Sequence, residues 1–378
     1  MKLSCLQENL NQGLAVVGRA VATRTTLPIT NNVLLATDQS RLKLVATNLE
    51  MAISYWTGAQ IEEEGEITVP ARLLTEFVGS LPNDKIDINL SSRTKTLELK
   101  CARFEARISG IDAKDFPPIP AIDEGITTKV EVEAIRQGIS QVVFAAATEE
   151  SRPVLTGVYA QFDNDLLTLA AADGFRLAVY KLPLATPVTQ KTEVIIPART
   201  LAELNRLMAD DEETVDITVN PGKSQALFRL KSAELVSQLV QGAFPQYDQL
   251  IPQSNNTRVV VDVAEFLRAT RTASIFARGG SGIVRLVMAS SGSELTPGKL
   301  TISARSEEIG DDVGEIDAVV EGEEAKIAFN GRYLIDVLSV LRESQVALET
   351  TNPSSPGVIR PVGVSDYIHV IMPMFVQW

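Results

Sequence analysis

The strongest constraint on the fold is an internal repeat, because short phrases recur along the chain at near-constant spacing. Val69-Pro70-Ala71-Arg72 returns as Ile196-Pro197-Ala198-Arg199 and, more weakly, as Asn330-Gly331-Arg332. The arginines of these phrases are 127 and 133 residues apart (199 − 72 and 332 − 199). A chain of 378 residues that repeats at this interval is predicted to hold three copies of one domain.

A second phrase gives the same spacing and helps to place the boundaries. Phe116-Pro117 returns as Phe244-Pro245, and Met372-Pro373 stands where a third copy is expected, so the prolines are 128 apart both times. Polar or proline-rich stretches at 117–125 and 252–257 resemble domain joints. The predicted domains are 1–122, 123–254 and 255–378, each of ordinary domain size.

Each copy shows the same order of predicted elements: helix, strands, helix, strands. In the second copy Val132, Ile135, Ile139 and Val142 keep the three-four spacing of an amphipathic helix, and Gln141 lies off that face. Pro70 is well suited to open the second helix of the first copy. Alternating strands with polar turns fill the remainder, so the predicted class is α+β, with two helices packed on antiparallel sheets in each copy.

The charge pattern leaves two interpretations open. The chain has 48 acidic and 35 basic residues, a net charge of −13, which is unlike a uniformly basic nucleic-acid-binding protein. Arginines nevertheless collect on the polar faces of the predicted helices: Arg19, Arg72, Arg136, Arg199, Arg206, Arg268, Arg271 and Arg332. They form either an ordinary solvated helix face or one basic surface that holds phosphate backbones without reading bases.

Residues that usually carry catalysis or bind metals are scarce. His369 is the single histidine, and its apolar strand predicts a structural role with satisfied hydrogen bonds. Cys5 and Cys101 belong to no motif, which suggests a reducing compartment, and no His/Cys spacing fits a metal, so no cofactor is expected. With neither a signal peptide nor an apolar run of about 18 residues, we expect a cytoplasmic protein without a membrane partner.

A longer set of phrases points to one family. They are Thr26-Leu27-Pro28-Ile29 with Asn32, Ala46-Thr47-Asn48-Leu49-Glu50-Met51, Val69-Pro70-Ala71-Arg72, Asp115-Phe116-Pro117, Ala172-Asp173-Gly174-Phe175-Arg176-Leu177-Ala178, Phe244-Pro245 with Tyr247, Ile251-Pro252, Phe329-Asn330 with Tyr333-Leu334, and Met372-Pro373-Met374. Over its whole length the chain resembles the bacterial DNA polymerase III beta subunit, the replicative sliding clamp. The resemblance implies a head-to-tail homodimer whose six domains form a ring around double-stranded DNA, without sequence specificity, cofactor or catalysis.

The resemblance also implies site residues. For DNA, the family pattern and the basic helix faces indicate Arg24, Arg72, Arg136, Arg152, Arg199, Arg268 and Arg271. A pocket for partner peptides is implied at Leu155, Ala172, Gly174, Phe175, Arg176, Leu177, Pro245, Leu250, Asn330, Tyr333, Val370, Met372, Pro373 and Met374. At the dimer contact, Ala106 and Ile108 would face Ile275 and Phe276, and Phe375 or Trp378 would alter the rim of the pocket.

The implied partners are the replicative polymerase alpha subunit, the clamp loader, and other proteins with a clamp-binding motif, such as repair polymerases, mismatch-repair proteins and ligase. Two other classes of protein stay open at this point. One is a hydrolase that uses an acidic pair such as Asp210-Asp211. The other is a repeat scaffold that binds peptides but never DNA.

Overall fold

The structure is a computed structural model that describes residues 1–22, 26–149, 151–279, 281–290 and 298–378. The described chain forms two compact units. The first comprises residues 1–132, 184–188 and 200–239, and the second comprises 133–183, 189–199 and 240–378. The second copy of the repeat is therefore shared between the two units. None of the described helices is both long enough and apolar enough to cross a membrane.

Within the ranges that the structure describes, every copy contributes two α-helices and a set of strands, as the repeat predicts. The first copy contains β1 (Lys2–Leu6), α1 (Gln7–Val17), β2 (Asn32–Asp38), β3 (Arg41–Thr47), β4 (Met51–Gly58), β5 (Gln60–Glu63), β6 (Glu66–Pro70), α2 (Ala71–Ser80), β7 (Lys85–Ser91), β8 (Thr96–Cys101) and β9 (Phe104–Ser109). The second contains β10 (Ile126–Glu131), α3 (Val132–Val142), β11 (Gly157–Asp163), β12 (Leu166–Ala172), β13 (Arg176–Pro183), β14 (Thr192–Pro197), α4 (Ala198–Leu207), β15 (Thr214–Val219), β16 (Gln225–Arg229) and β17 (Ala233–Gln238). The third contains β18 (Thr257–Asp262), α5 (Val263–Ala277), β19 (Ile283–Ala289), β20 (Gly298–Ser306), β21 (Gly310–Gly322), β22 (Ala325–Asn330), α6 (Gly331–Leu338), β23 (Gln345–Thr350), β24 (Gly357–Pro361) and β25 (Tyr367–Ile371).

The helices bury the apolar faces that their spacing predicts. Leu10, Leu14 and Val17 of α1 are almost completely buried. One expectation for α3 is wrong, because Gln141 is only 1% exposed and not on the solvated face. Neither its side-chain nitrogen nor its oxygen has a partner among the described atoms, and nothing else in the structure explains its burial.

The described strands form three antiparallel sheets. The first unit holds a five-stranded sheet of order β5-β1-β7-β8-β9 and an eight-stranded sheet of order β10-β15-β16-β17-β4-β3-β2-β6. The second unit holds a twelve-stranded sheet of order β14-β11-β12-β13-β25-β24-β23-β18-β21-β20-β19-β22. In two places a sheet passes from one copy of the repeat to the next: β4 pairs with β17, and β13 pairs with β25. These pairings are called the first joint and the second joint.

The two joints have the same register. Across the first joint, one row of directly paired residues runs Thr68, Leu34, Val45, Ser54, Glu234. Across the second joint, the corresponding row runs Ile195, Tyr159, Ala170, Val179, Ile368. Register in a sheet decides which face every side chain occupies, so equivalent positions at the two joints can be compared residue by residue.

In each copy, the segment after the last strand bonds to the residue three positions before the second helix, on β6, β14 or β22. The backbone N–H donors and their carbonyl acceptors are Ile111 to Thr68 (2.9 Å), Val240 to Ile195 (2.9 Å) and Met374 to Ala328 (2.7 Å). These bonds occupy an edge that would otherwise leave strand groups unpaired.

The same bonds correct one part of the repeat. Phe116 and Phe244 lie five and four residues after the bonded Ile111 and Val240 (116 − 111 and 244 − 240), whereas Met372 lies two residues before Met374. Met372-Pro373 is therefore not the third copy of the Phe-Pro phrase. The constant spacing of the prolines misled because the third copy is longer ahead of its second helix: 50 residues separate Gly282 from Arg332, against 42 from Gly157 to Arg199 (332 − 282 and 199 − 157).

Candidate partner-binding site and arginine surface

The centre of the predicted pocket is a tight turn between β12 and β13. The Asp173 carboxylate accepts hydrogen bonds from the backbone N–H groups of Phe175 (2.8 Å) and Arg176 (3.0 Å). Gly174 has a φ of +94°, a conformation that side-chain-bearing residues rarely adopt. A Cβ at this glycine would lie 2.9 Å from the Arg152 guanidinium, so the missing side chain also makes room for that group.

Arg176 fixes this turn to α6. Its side chain is only 9% exposed, and its guanidinium contacts the carboxylates of Asp173 (3.0 Å) and Asp336 (2.7 Å) and the carbonyl of Phe144 (2.6 Å). The same group lies over the ring of Tyr333, 4.4 Å from the centroid. Because every side of the guanidinium is occupied, Arg176 holds the site together and is not a free cation.

A cavity of about 210 Å³ lies beside this turn. Its walls are residues 146–149, 151 and 152, the turn 173–176 and the first residues of α6. Of the predicted pocket residues, Phe175, Arg176 and Tyr333 line it. Two residues that the sequence analysis assigned to the basic surface, Arg152 and Arg332, also line it. Sequence distance hid this neighbourhood, since residues 152, 175 and 332 meet only through the fold.

The remaining apolar pocket residues form a cluster on the opposite face of the sheet. Ala172, Leu177 and Val370 are buried together, with Phe244 and Tyr247 packed against them. Successive residues of a strand point to opposite faces, so Leu177 faces this cluster whereas Arg176 faces the cavity. The predicted pocket is thus divided into a polar cavity and an apolar cluster, which the turn 173–176 connects.

Exposed apolar side chains lie where these two parts meet. Phe175, Leu250 and Met372 are 57%, 52% and 45% exposed, and the backbone N–H of Met372 donates to the carbonyl of Phe175 (2.8 Å). Apolar side chains left in water near a pocket are typical of a docking surface.

The other predicted pocket residues differ in burial and in their contacts. Leu155 is buried, Gly174 and Pro245 are exposed, and Asn330 caps α6 by accepting from the N–H of Arg332 (2.9 Å). Pro373 and Met374 continue along β22. Beyond them, Trp378 lies near Lys326, 6.0 Å from ammonium to ring, and neither Phe375 nor Trp378 lines the cavity.

The predicted DNA-contact arginines are mostly on helices. Arg72, Arg199, Arg268 and Arg271 are exposed on α2, α4 and α5, and Arg136 on α3 is half-buried. Arg72 forms an ion pair with Glu76 (2.8 Å), and Arg271 donates to the Ser339 hydroxyl (3.2 Å). Arg24 lies outside the described residues.

The four predicted dimer residues differ in accessibility. Ile275 is 57% exposed, Phe276 and Ala106 are half-buried, and Ile108 is 4% exposed and has little surface left for a partner. The exposed apolar residue of β9 is Phe104, at 53%. Phe104 is not among the predicted dimer residues, although alternation along the strand places it on the same face as Ala106.

His369 is completely buried in β25. Burial, with a smaller effect of the Arg176 charge, lowers its pKa to about 3, so the ring is neutral at pH 7. The predicted full satisfaction is wrong, because Nε2 has no partner among the described atoms and Nδ1 lies 3.4 Å from the Tyr367 hydroxyl. Within the described ranges, no three His, Cys, Asp or Glu side chains are grouped to hold a metal ion.

Comparison with known proteins gives a consistent result. Residues 1–120, 129–246 and 248–375 match the N-terminal, central and C-terminal domains of the DNA polymerase III beta subunit. The beta sliding clamp of Synechococcus elongatus is 32% identical over 378 residues, 99% of both chains. The crystal structure of the Bacillus subtilis DNA polymerase sliding clamp superposes with a TM-score of 0.93 at 30% identity over the full length of both chains. A Pseudomonas aeruginosa sliding clamp bound to griselimycin gives 0.91 at 29% identity, again over both full chains.

Proposed function

The chain belongs to the DNA polymerase III beta subunit family, and we propose that it works as a non-catalytic clamp, built from domains 1–122, 123–254 and 255–378. Two protomers close head to tail into a six-domain ring around duplex DNA. The ring holds the replicative polymerase and other replication and repair proteins at the DNA, and a separate loader opens it. The protein acts in the cytoplasm.

The observation that carries this proposal is the repetition of the joint. In the third copy the row of paired residues runs Ala328, Arg285, Ser303, Val313. β18 pairs with β21 only at Val319–Gly322, so among the described residues no strand follows Val313 on this edge of β21. A second free edge is β9 of the first copy, whose row Ser4, Asp87, Lys100, Glu105 corresponds to Lys129, Asp216, Arg229, Glu234. Repetition of the two observed joints pairs Glu105 with the partner's Val313.

The two free edges are complementary in charge. Antiparallel pairing in this register places Arg103 opposite the partner's Glu315 and Arg107 opposite the partner's Asp311. Opposite charges on directly paired residues stabilise a sheet, and like charges destabilise it. A head-to-tail contact of this kind uses two different surfaces, so it closes a ring when the rotation allows.

The edges are also complementary in shape. Phe104 occupies the position of the buried Ala233 and Tyr367 at the two observed joints, and in the same register it lies opposite the partner's Gly314. The side chain of Phe104 would fill the space that this glycine leaves, and the exposed Ile275 is available on the same domain as β21. Burial of these side chains supplies the apolar part of the contact.

A charge-reversal experiment tests both the dimer and its register. One variant carries Arg103→Glu with Arg107→Glu, and a second carries Asp311→Arg with Glu315→Arg. We expect each variant alone to sediment as a monomer, and an equimolar mixture to form dimers, because one joint then has both original edges and the other has both reversed edges. Mixed variants that stay monomeric would contradict the register, and dimers of either variant alone would contradict the joint itself.

Exposed arginines on the helices support the DNA role. Guanidinium groups that contact phosphates without reading bases give binding that weakens steeply with salt. After loading onto a nicked circular plasmid, the protein should stay bound through gel filtration at moderate salt. Linearising the plasmid should release it. Equal retention on both forms, or on neither, would contradict a ring that is held by topology.

A further inference from the structure

We propose that Glu76 forms an ion pair with the partner's Arg278 when the ring closes, and that this pair releases Arg72 to contact DNA. Glu76 is then a positioning residue, because it acts on DNA binding through Arg72. The inference rests on the proposed function, since it needs both the head-to-tail dimer and the DNA.

The pattern that carries it is an arginine followed four residues later by an acid on the second helix of every copy. The three pairs are Arg72 with Glu76 on α2, Arg199 with Glu203 on α4, and Arg332 with Asp336 on α6. Side chains at this spacing lie on the same side of a helix, where opposite charges can form an ion pair. The first copy forms this pair, with 2.8 Å between Arg72 Nε and a carboxylate oxygen of Glu76.

In the other two copies, a cation of the preceding copy contacts the acid. At the first joint Arg19 lies 3.5 Å from the Glu203 carboxylate, which Arg206 of the same helix also contacts. At the second joint Arg176 lies 2.7 Å from the Asp336 carboxylate. Each joint within the chain therefore brings a guanidinium group from one copy to the helix acid of the next.

The helix arginines of these two copies are left without the acid. No carboxylate of the described residues lies within 4.0 Å of the Arg199 or Arg332 guanidinium. A closed joint thus coincides with a helix arginine that is free to bind another anion, and the unformed joint of the first copy coincides with one that is not.

The first copy differs because the copy that would precede it belongs to the partner. Glu76 is well exposed, whereas Glu203 is largely buried and Asp336 is only partly exposed. In a head-to-tail ring the partner's third copy occupies the position of the preceding copy. The cation that Glu76 lacks must then come from that domain.

The third copy offers this cation at the end of α5. Arg19 lies twelve residues after the first residue of α1, and the equivalent position on α5 is Ile275 (19 − 7 and 275 − 263). The equivalent of Arg176, three residues before the row of paired residues, is Gly310 (179 − 176 and 313 − 310). Neither carries a charge. Arg278 lies one turn beyond Ile275 on the same side of the helix, still in helical conformation, with φ −64° and ψ −30°.

Arg278 is available for this contact. Its side chain is exposed, and within the described ranges no carboxylate lies within 4.0 Å of it. The helices concerned also face each other at an observed joint, because Glu133 at the start of α3 forms an ion pair with Arg342, which follows α6. The equivalent helices at the third joint are α5 of one protomer and α2 of the other.

The exchange links ring closure to DNA binding. In the free protomer the Glu76 carboxylate neutralises Arg72, and a guanidinium that already has a counterion gains less from a phosphate. When the partner's Arg278 holds Glu76, Arg72 becomes equivalent to Arg199 and Arg332. Each joint that closes between protomers therefore adds one free cation to the arginine surface.

The first test measures the dimer Kd by analytical ultracentrifugation. Glu76→Arg and Arg278→Glu should each raise it about tenfold, because like charges then meet at both joints of the ring. Combining the two changes restores opposite charges and should return the Kd to within about twofold of the original. Arg271→Glu is the matched control: it makes the same charge change on α5, but this arginine bonds to Ser339 of its own copy, so the Kd should change by less than about twofold.

The second test measures the salt dependence of binding to a primed DNA duplex, at concentrations where every variant is dimeric. The slope of log Kd against log salt concentration reports the number of phosphate contacts. Arg72→Gln should reduce this slope by about one contact per protomer. Arg278→Gln should reduce it equally, because Glu76 then pairs with Arg72 again, and adding Glu76→Gln to Arg278→Gln should restore it.

Four outcomes would overturn the inference. Unchanged dimer Kd values for Glu76→Arg and Arg278→Glu, or a combined variant that is weaker than either, would exclude the ion pair while the dimer stands. An unchanged salt slope for Arg278→Gln would exclude the release of Arg72. A reduced slope that Glu76→Gln does not restore would assign Arg278 to DNA directly. A protein that stays monomeric at every concentration would overturn the inference together with the proposed function.

Discussion

The first and second joints have the same strand register, but different side chains pack on them. At the second joint the rings of Tyr159, Phe244 and Tyr247 pack together, with centroids 5.4 to 6.4 Å apart. At the first joint, Leu34 occupies the place that Tyr159 has in the row of paired residues. Ile119, in the linker 117–125, packs where that linker crosses the sheet. A cavity of about 430 Å³ remains there beneath the linker.

The joints also differ in how they neutralise an acid at an equivalent helix position, which is buried at the first joint and partly exposed at the second. Glu203 on α4 and Asp336 on α6 both lie six residues after the residue preceding the helix. Glu203 is paired with Arg19 (3.5 Å) and Arg206 (2.5 Å), both well exposed, whereas Asp336 is paired with the buried Arg176. The two joints therefore share strand order and register because of the repeat. Their side chains differ, so that only the second joint has a pocket with a rigid buried cation.

The largest expected difference between the joints concerns these cations. Arg176→Met leaves Asp173 and Asp336 without their buried partner, and we expect it to lower the free energy of unfolding by about 3 to 5 kcal/mol. Arg19→Met at the first joint should cost about 1 kcal/mol or less, because Glu203 keeps Arg206 and the lost pair is partly exposed. Urea titration measures both. Equal losses would show that the two joints do not differ in this respect.

Acid should weaken the second joint selectively. His369 lies opposite Ala178, at the position that Leu235 occupies opposite Ile53 in the first joint. Because burial lowers its pKa to about 3, the folded protein keeps this ring neutral while the unfolded chain binds a proton below pH 6.5. The contribution to stability is therefore complete above pH 6.5 and declines as the pH falls towards 3, by about 2 kcal/mol at pH 5.

His369→Leu, which copies the first joint, provides the comparison for that effect. The difference in unfolding free energy between this variant and the original protein should grow by about 2 kcal/mol between pH 7 and pH 5. Since the chain has one histidine, no other imidazole contributes to the difference. Parallel pH profiles would contradict the assigned pKa.

Filling the cavity of the first joint should bring it closer to the second. Ile119→Tyr places a ring where the linker already packs against the cluster of Ile29, Val45 and Phe116, and we expect a gain of about 1 kcal/mol in unfolding free energy. Ile119→Leu, which keeps the volume, should change it little. Thermal unfolding can measure both variants. A loss of more than about 1 kcal/mol on introducing the ring would show that the space beneath the linker cannot accept it.

The smallest effect is expected at the turns that lead into the joints. Asn48 accepts from the N–H groups of Glu50 and Met51 just as Asp173 does in the second copy, but the first copy has Leu49 at φ +75° where the second has Gly174. Relief of this backbone strain makes Leu49→Gly stabilising by about 0.5 kcal/mol, after the entropy cost of glycine. Gly174→Ala should instead destabilise. If both changes shift the unfolding free energy in the same direction in urea titration, the positive φ at these positions is not the cause of the difference.

Much of the fold could be predicted because its signals are local and repeated. The spacing of Leu10, Leu14 and Val17 predicts the buried face of α1, and Pro70 predicts the start of α2. Pairings across the joints could not be predicted, because strands 180 and 189 residues apart (234 − 54 and 368 − 179) carry no sequence signal that identifies their neighbour. Arg332 shows the limit at the site: its repeat position indicates an exposed helix arginine, and only the folded chain brings it to the cavity beside Arg152.

The central claim is that a third joint, between protomers, copies the two within the chain. Directly paired residues in a sheet bring their Cβ atoms to about 4.5 to 5.5 Å, close enough for a disulfide after small adjustment. The measurement is the mass under denaturing conditions, after mild oxidation, of a variant carrying Glu105→Cys and Val313→Cys; the natural Cys5 and Cys101 are buried. We predict a covalent dimer of 82 kDa, twice the 41.0 kDa chain, that forms only when both new cysteines are present. A product that stays at 41.0 kDa, or a dimer formed with Glu105→Cys alone, would contradict the account.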